Sequence, residues 1–359
     1  MPPKITNVHL VGSIPLSNTE EVLRTVSQTL PNRLRRIPDG ETGERNYFVK
    51  WQARIIGQWP LVWNGLMRWF MGLEDQQPPS FSEEEKEKVL REMESLETEY
   101  DVKALESYEV FKKLKEEGVI EKDVKFLVAL PTPLTVTALN IRKEFHVGFE
   151  RVYKEAILRA LGRIMEGIPK RELAIQWDCP SEMGMIEGVD FKGRETGKWW
   201  AEGMVEGVVE RLKRVCESVD EGVEMGVHFC YGDMQGKHFV EPKDTGVMVD
   251  VATRLLDTCN RPIDFLHIPV PKDRTDDQYF EPLKGLLPYV RDGHELCLGL
   301  VHTEDLGGTW DRIQTAGKVV PAFSISSECG LGRKSREQGL SVLDTAFAVC
   351  EPVVSKAKW

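Results

Sequence analysis

The stretch Val223-Glu224-Met225-Gly226-Val227-His228-Phe229-Cys230-Tyr231-Gly232-Asp233 reads as a strand with reactive groups at its end. An apolar, β-branched run over 223–230 stops at Gly232-Asp233, a turn pair. Side chains two apart share a face of a strand, so His228 and Cys230 emerge together. Cys329 stands about a hundred residues downstream, just past another apolar run, and adds a third soft donor. Three protein donors with an open fourth position suit a catalytic zinc, whereas a structural zinc is normally closed by four. The pattern predicts that His228, Cys230 and Cys329 gather around Zn2+. The plainer reading is a buried thiol beside a satisfied core histidine.

Working outward, runs of the same kind recur at 5–11, 35–41, 125–130, 173–177, 263–268, 295–301 and 319–326. Helical periodicity fills the gaps at 19–30, 149–165, 199–219, 245–256 and 335–349. Strands alternating with helices imply parallel βαβ units. Eight such units predict an α/β protein, a single (β/α)8 TIM barrel over 1–359. Ser13, Glu41, Asp178, His228, Cys230, His302 and Cys329 all fall at C-terminal ends of these strands. In such barrels that face carries the active site. A random scatter of polar residues would not choose one end of every strand.

One segment breaks the repeat. Residues 46–122, between the second and third strands, are too many for an ordinary connection and predict a helical insertion. Its first part holds Trp51, Trp59, Trp63 and Trp69 with Met67; its second is rich in paired charges. Three readings follow: packing on the barrel rim, a wall or lid over the pocket, or a contact in a homo-oligomer.

Composition narrows the class. The 359 residues are 41% hydrophobic, enough for a large core, and carry a net charge of -11 with no basic stripe, which argues against nucleic acid. The apolar run 59–73 is interrupted by Asn64 and Arg68 and is too short to span a bilayer, so no membrane association is expected. No apolar signal region follows Met1-Pro2-Pro3-Lys4. Seven scattered cysteines fit a reducing, cytoplasmic setting in which thiols are free to bind metal.

Taken together, Val11-Gly12-Ser13-Ile14-Pro15, Asp39-Gly40-Glu41 with Glu44-Arg45, Ile175-Gln176-Trp177-Asp178-Cys179-Pro180, His228-Phe229-Cys230-Tyr231 and Glu328-Cys329-Gly330-Leu331 are spread over nearly the whole chain. In order and position they resemble the catalytic barrel of cobalamin-independent methionine synthase, within the superfamily that includes coenzyme M methyltransferases and uroporphyrinogen decarboxylase. The resemblance implies that His228, Cys230 and Cys329 bind zinc. It also implies that Ser13, Glu41 and Asp178 hold the amino acid carrying the thiol. Asp39, which stands where the family has histidine, joins them as a substrate-binding candidate.

The chain departs from that family at the chemistry itself. The family's fourth zinc ligand is a glutamate ending the sixth strand; here the run is Leu266-His267-Ile268-Pro269. His267 shares the face of Pro269 and is the candidate replacement, with substrate or water as the alternative. The seventh strand ends Val301-His302-Thr303-Glu304-Asp305, making His302 and Glu304 candidate proton carriers beside Asp178. The expected activity is zinc-dependent transfer of a methyl or other alkyl group to or from a small-molecule thiol or thioether, with a folate or another alkyl donor. The alternatives are a zinc-dependent lyase or hydrolase acting on a C–S or related bond, or a non-catalytic metal-binding relative.

Overall fold

The computed structural model describes residues 2–70, 72–73, 79–189, 197–233 and 238–352. Eight strands carry the architecture: β1 Lys4–His9, β2 Arg36–Pro38, β3 Lys125–Pro131, β4 Leu173–Cys179, β5 Glu224–Phe229, β6 Phe265–Pro269, β7 Glu295–Val301 and β8 Ala322–Ser327. They form one parallel sheet in the order β1-β8-β7-β6-β5-β4-β3-β2. Its two edges are joined by a parallel bridge between Val8 and Leu34. The curled sheet with helices around it is the (β/α)8 architecture expected from the alternation of runs.

The helices form where the sequence supplies both an apolar stripe and a cap. Thr19–Thr29 buries Val22, Leu23 and Val26, and Asn18 caps it by accepting from the Glu21 amide. Arg336–Val349 starts with a reciprocal capping box between Ser335 and Gln338. Several predicted boundaries move, among them the helix expected over 199–219, which runs Met204–Cys216, and two of the shifts have a clear local cause. Val319 and Val320 do not open β8; their amides bond the Ala316 carbonyl, closing the helix Leu306–Gly317 ahead of Pro321. Pro131-Thr132-Pro133, a strand stop by sequence, also starts the helix Pro133–Asn140, with Thr132 accepting from the Thr135 amide at 3.1 Å.

Inside the barrel the side chains lie in layers, as expected for alternate residues of each strand. At the floor, Arg36 bonds both Glu224, at 2.8 Å, and Glu295. A small apolar cluster of Leu127, Ala174, Phe265 and Cys297 fills the interior, with the Arg36 guanidinium over the Phe265 ring. His9, Gln176 and His267 are buried above, and Asp178, His228, Cys230 and Cys329 reach the mouth. A polar interior is costly unless its groups are paired, and Arg36, Glu224, Glu295, His9, Gln176 and His267 each bond another polar group here.

Between β2 and β3 the described residues are helical, with elements at Phe48–Ile56, Gly65–Phe70, Glu83–Glu92 and Tyr100–Glu116. Tyr100–Glu116 packs on β3 and on Thr19–Thr29, the place of an ordinary barrel helix, with Phe111 against Phe126 at 5.3 Å. Trp51 and Trp63 are buried, and Trp51 meets Tyr100 edge-on. The side chain of Trp69 lies outside the described residues. No helix among the described residues is long and apolar enough to cross a membrane.

Candidate functional site

β5 ends at Phe229 and β8 at Ser327, so His228 on one and Cys230 and Cys329 just beyond come to the same mouth. One ligand atom from each of the three lies within 4.8 Å of the others. The two Sγ atoms are 2.8 Å apart, and Cys230 Sγ accepts from the Gly232 amide at 3.1 Å. Burial pushes the Cys230 thiol up, while Cys329 is lowered by the hydrogen bond from Cys230 and, against burial, by the Arg333 guanidinium. An N–H and a guanidinium next to sulfur favour thiolate, which is the ligand form. One imidazole and two sulfurs in so small a space fit zinc, which takes N and S donors at about 2.0–2.3 Å.

The β8 turn that delivers Cys329 is built on glycine. Gly330 has φ +86°, a conformation that L side chains rarely adopt. A Cβ on Gly332 would sit 2.6 Å from Ser13 Cβ. The Gly332 amide instead donates to Ser13 Oγ at 3.2 Å, tying the β8 turn to the β1 turn. The Ile14 amide in turn donates to the Gly40 carbonyl at 2.8 Å, which brings in the β2 turn.

These turns enclose a cavity of about 340 Å³ lined by Ser13, Glu41, Asp178, His228, Cys230 and Cys329. Leu10, Ile14, Met67 and Leu139 supply apolar wall, and Asn46, Tyr47 and Met67 come from the segment after β2. The wall reading of that segment therefore holds together with the packing reading. Glu41 sits at φ +45°, strained for a residue with a Cβ, and directly follows Gly40 at φ +83°. Asp39 braces this turn: it accepts from the Glu41 amide at 2.9 Å, from Arg45 at 2.7 Å and from Ser107 at 2.7 Å.

Two of the cavity carboxyls, Glu41 and Asp178, are shifted the same way. Burial, then repulsion from Asp39, lifts Glu41 to about 7. Burial, then repulsion from Glu41, holds Asp178 well above the usual carboxylate range, although Gln176 Nε2 donates to its Oδ1 at 2.9 Å. A carboxyl lifted to about 7, beside a second one also raised by burial, suits acid–base work or the capture of a cation.

Other sequence candidates fall elsewhere. Asp39 lies behind Glu41, not on the cavity wall. Arg45 pairs with Asp39, not with Glu41. His302 lines a neighbouring cavity of about 540 Å³ on the far side of Cys329, with Nε2 toward the Val270 carbonyl at 2.9 Å. Burial, with Arg312 nearby, brings it down to about 3, so near pH 7 it is neutral and its single N–H is spent on the Val270 carbonyl. Glu304 is exposed, at φ +54°, and lines neither cavity. His267 is fully buried between His228 and the Ser327 carbonyl.

Sequence reasoning gave Gln176 no role at the site, and placed Arg333 only in the turn after the eighth strand, where barrels often bind phosphate. Arg333 lines the cavity and donates to Asp233 at 2.9 Å. Gln176 had a readable signal, since it is two residues before Asp178 on the same strand face.

No family model and no curated protein matches the chain. Solved structures do. The molecule is similar to vitamin-B12-independent methionine synthases. One, the B12-independent methionine synthase from Shewanella sp. W3-18-1 in complex with selenomethionine, is 14% identical with a TM-score of 0.48. The match covers 68% of this chain and 65% of that one, so this chain spans about two thirds of that relative's length. Another, the putative vitamin-B12 independent methionine synthase from Listeria monocytogenes, is 13% identical with a TM-score of 0.44, over 96% of each chain. The chemistry of the site is carried by its own residues.

Proposed function

We propose that this protein is a zinc-dependent transferase, methionine-synthase-like, that moves a methyl or other alkyl group to or from a small-molecule thiol. The supporting observation is the meeting of His228, Cys230 and Cys329 at the floor of a cavity that also holds Glu41 and Asp178. Zinc held there would deprotonate a substrate thiol while leaving it nucleophilic. Three protein donors leave one position for that sulfur.

The chain's own groups do the rest. Ser13, Glu41 and Asp178 orient the substrate, and a substrate ammonium group displaces the proton that Asp178 or Glu41 holds in its absence. Asp39 keeps Glu41 turned toward the cavity. The apolar wall from Leu10, Ile14 and Met67 excludes water from the reacting sulfur. Transfer forms a carbon–sulfur bond from the thiolate, whose proton passes to whichever of Glu41 and Asp178 does not face the ammonium group. The bond from that carbon to the donor atom breaks, and the donor atom departs with the electron pair and takes that proton.

A lyase or hydrolase acting on a C–S bond is the second reading, favoured by the Glu41 carboxyl, lifted to about 7, next to Asp178, whose carboxyl burial also raises. Incubating the zinc-loaded protein with homocysteine and methyl donors, a folate among them, separates the two. Consumption of thiol with formation of a thioether supports transfer; release of thiol from a supplied thioether supports cleavage. Neither change, in a protein shown to hold zinc, contradicts both.

A further inference from the structure

We infer that His267 presents His228 to the metal by fixing its tautomer, and is not itself a metal ligand. This rests on the zinc site proposed above. His228 and His267 are register partners across β5 and β6, with ring centroids 4.7 Å apart. His267 Nε2 lies 3.1 Å from the Ser327 carbonyl oxygen, and a carbonyl only accepts. The hydrogen is therefore on His267 Nε2. Both rings are buried, at 0% and 2% exposure, and their hydrogen bonds run to each other and to a carbonyl, so each ring carries one N–H. His267 Nδ1 is then a bare acceptor. His228 Nδ1, 2.7 Å away, must be its donor. The free lone pair of His228 is left on Nε2, ready for a metal.

For His267 to bind the ion, it would have to abandon one of these bonds. Turning Nδ1 away strands the His228 N–H; turning Nε2 away strands the Ser327 carbonyl. Either leaves a buried polar group unpaired, at a cost of about 1–3 kcal/mol. The same pair of bonds also holds together two ligand-bearing strands that are not neighbours: β5 carries His228, and β8 ends at Ser327, two residues before Cys329. The orienting partner of a metal-bound histidine is commonly a carboxylate, carbonyl or water; here a second imidazole relays the carbonyl.

The test compares the full-length protein with His267→Phe and His267→Gln. Zinc affinity is read by competition with a chromophoric chelator, and the ligand set by zinc X-ray absorption. The wild type is expected to show two sulfurs and one imidazole. His267→Phe is expected to bind zinc roughly 10–100-fold more weakly. His267→Gln, whose amide can accept from His228 and donate to Ser327, should recover most of that loss. Two imidazoles in the wild type, unchanged affinity in His267→Phe, or no recovery in His267→Gln would each overturn the inference. If His267→Phe does not fold, nitrogen-15 spectra of the zinc-loaded wild type decide: Nδ1–H on His228 with Nε2–H on His267 supports it, and the opposite tautomers refute it. A protein that passes these tests yet transfers no alkyl group would sink the functional reading alone.

Discussion

Gln176 and Asp178, two residues apart on β4, connect the cavity to the charged floor of the barrel. Gln176 Nε2 donates to Asp178 Oδ1 at 2.9 Å and its Oε1 meets His9 Nε2 at 2.9 Å. Arg36 Nη1 reaches His9 Nδ1 at 3.3 Å, which leaves Nε2 as the donating nitrogen of His9. The amide of Gln176 is therefore held in one orientation, and Asp178 with it. Gln176→Leu should weaken substrate binding about tenfold, the value of a hydrogen bond to a charged group. The measurement is KM against kcat in the transfer assay, with zinc content unchanged.

The floor itself sets an acid limit. Burial would raise the Glu295 carboxyl, but Arg36, Arg35 and Ser324 outweigh it and bring it down to about 2. A depressed carboxylate contributes stability that is present above its unfolded value, 4.5, and is lost as pH falls toward about 2. The contribution is about 3 kcal/mol, at 1.36 kcal/mol per pH unit. Denaturant midpoints should fall steeply between pH 4.5 and 2 in the wild type and much less in Glu295→Gln. That variant should already be less stable at neutral pH, because Arg36 loses a buried partner.

The turn that carries Cys329 can be tested through Gly332. A methyl group there would meet Ser13 Cβ at 2.6 Å, so Gly332→Ala must push the β1 and β8 turns apart. Overpacking of this kind costs about 1–3 kcal/mol. The expected result is a folded protein with lowered melting temperature and weakened substrate binding, both read on one preparation by calorimetry and titration.

Two glutamates that the sequence offers as site residues should separate. Glu41 lines the cavity, whereas Glu304 is exposed outside it. Glu41→Gln should lower transfer at least tenfold, or about 1.4 kcal/mol, and Glu304→Gln should leave it within a factor of two. Parallel assays of zinc-loaded proteins check this.

The barrel was legible because a buried parallel strand needs a continuous apolar run and a turn, and both are local features. His228 with Cys230 was legible for the same reason, since period two is local. Cys329, Ser13, Glu41 and Asp178 were placed by their positions at strand ends, and they do line one cavity. The candidates that lie off the cavity wall are those whose side-chain direction is set by partners the strand pattern does not show. Asp39 turns back to Arg45 and Ser107, and His267 is held by His228 and Ser327. Glu304 faces solvent because its turn runs outward, with its amide on Ser341. None of these pairings leaves a mark in local pattern.

The most direct test is metal analysis of the purified full-length protein beside Cys329→Ser, with folding checked by circular dichroism. The account predicts one zinc per chain in the wild type and loss of that zinc in a folded Cys329→Ser. A folded wild type that binds no zinc, or a Cys329→Ser that keeps it with unchanged affinity, would contradict it.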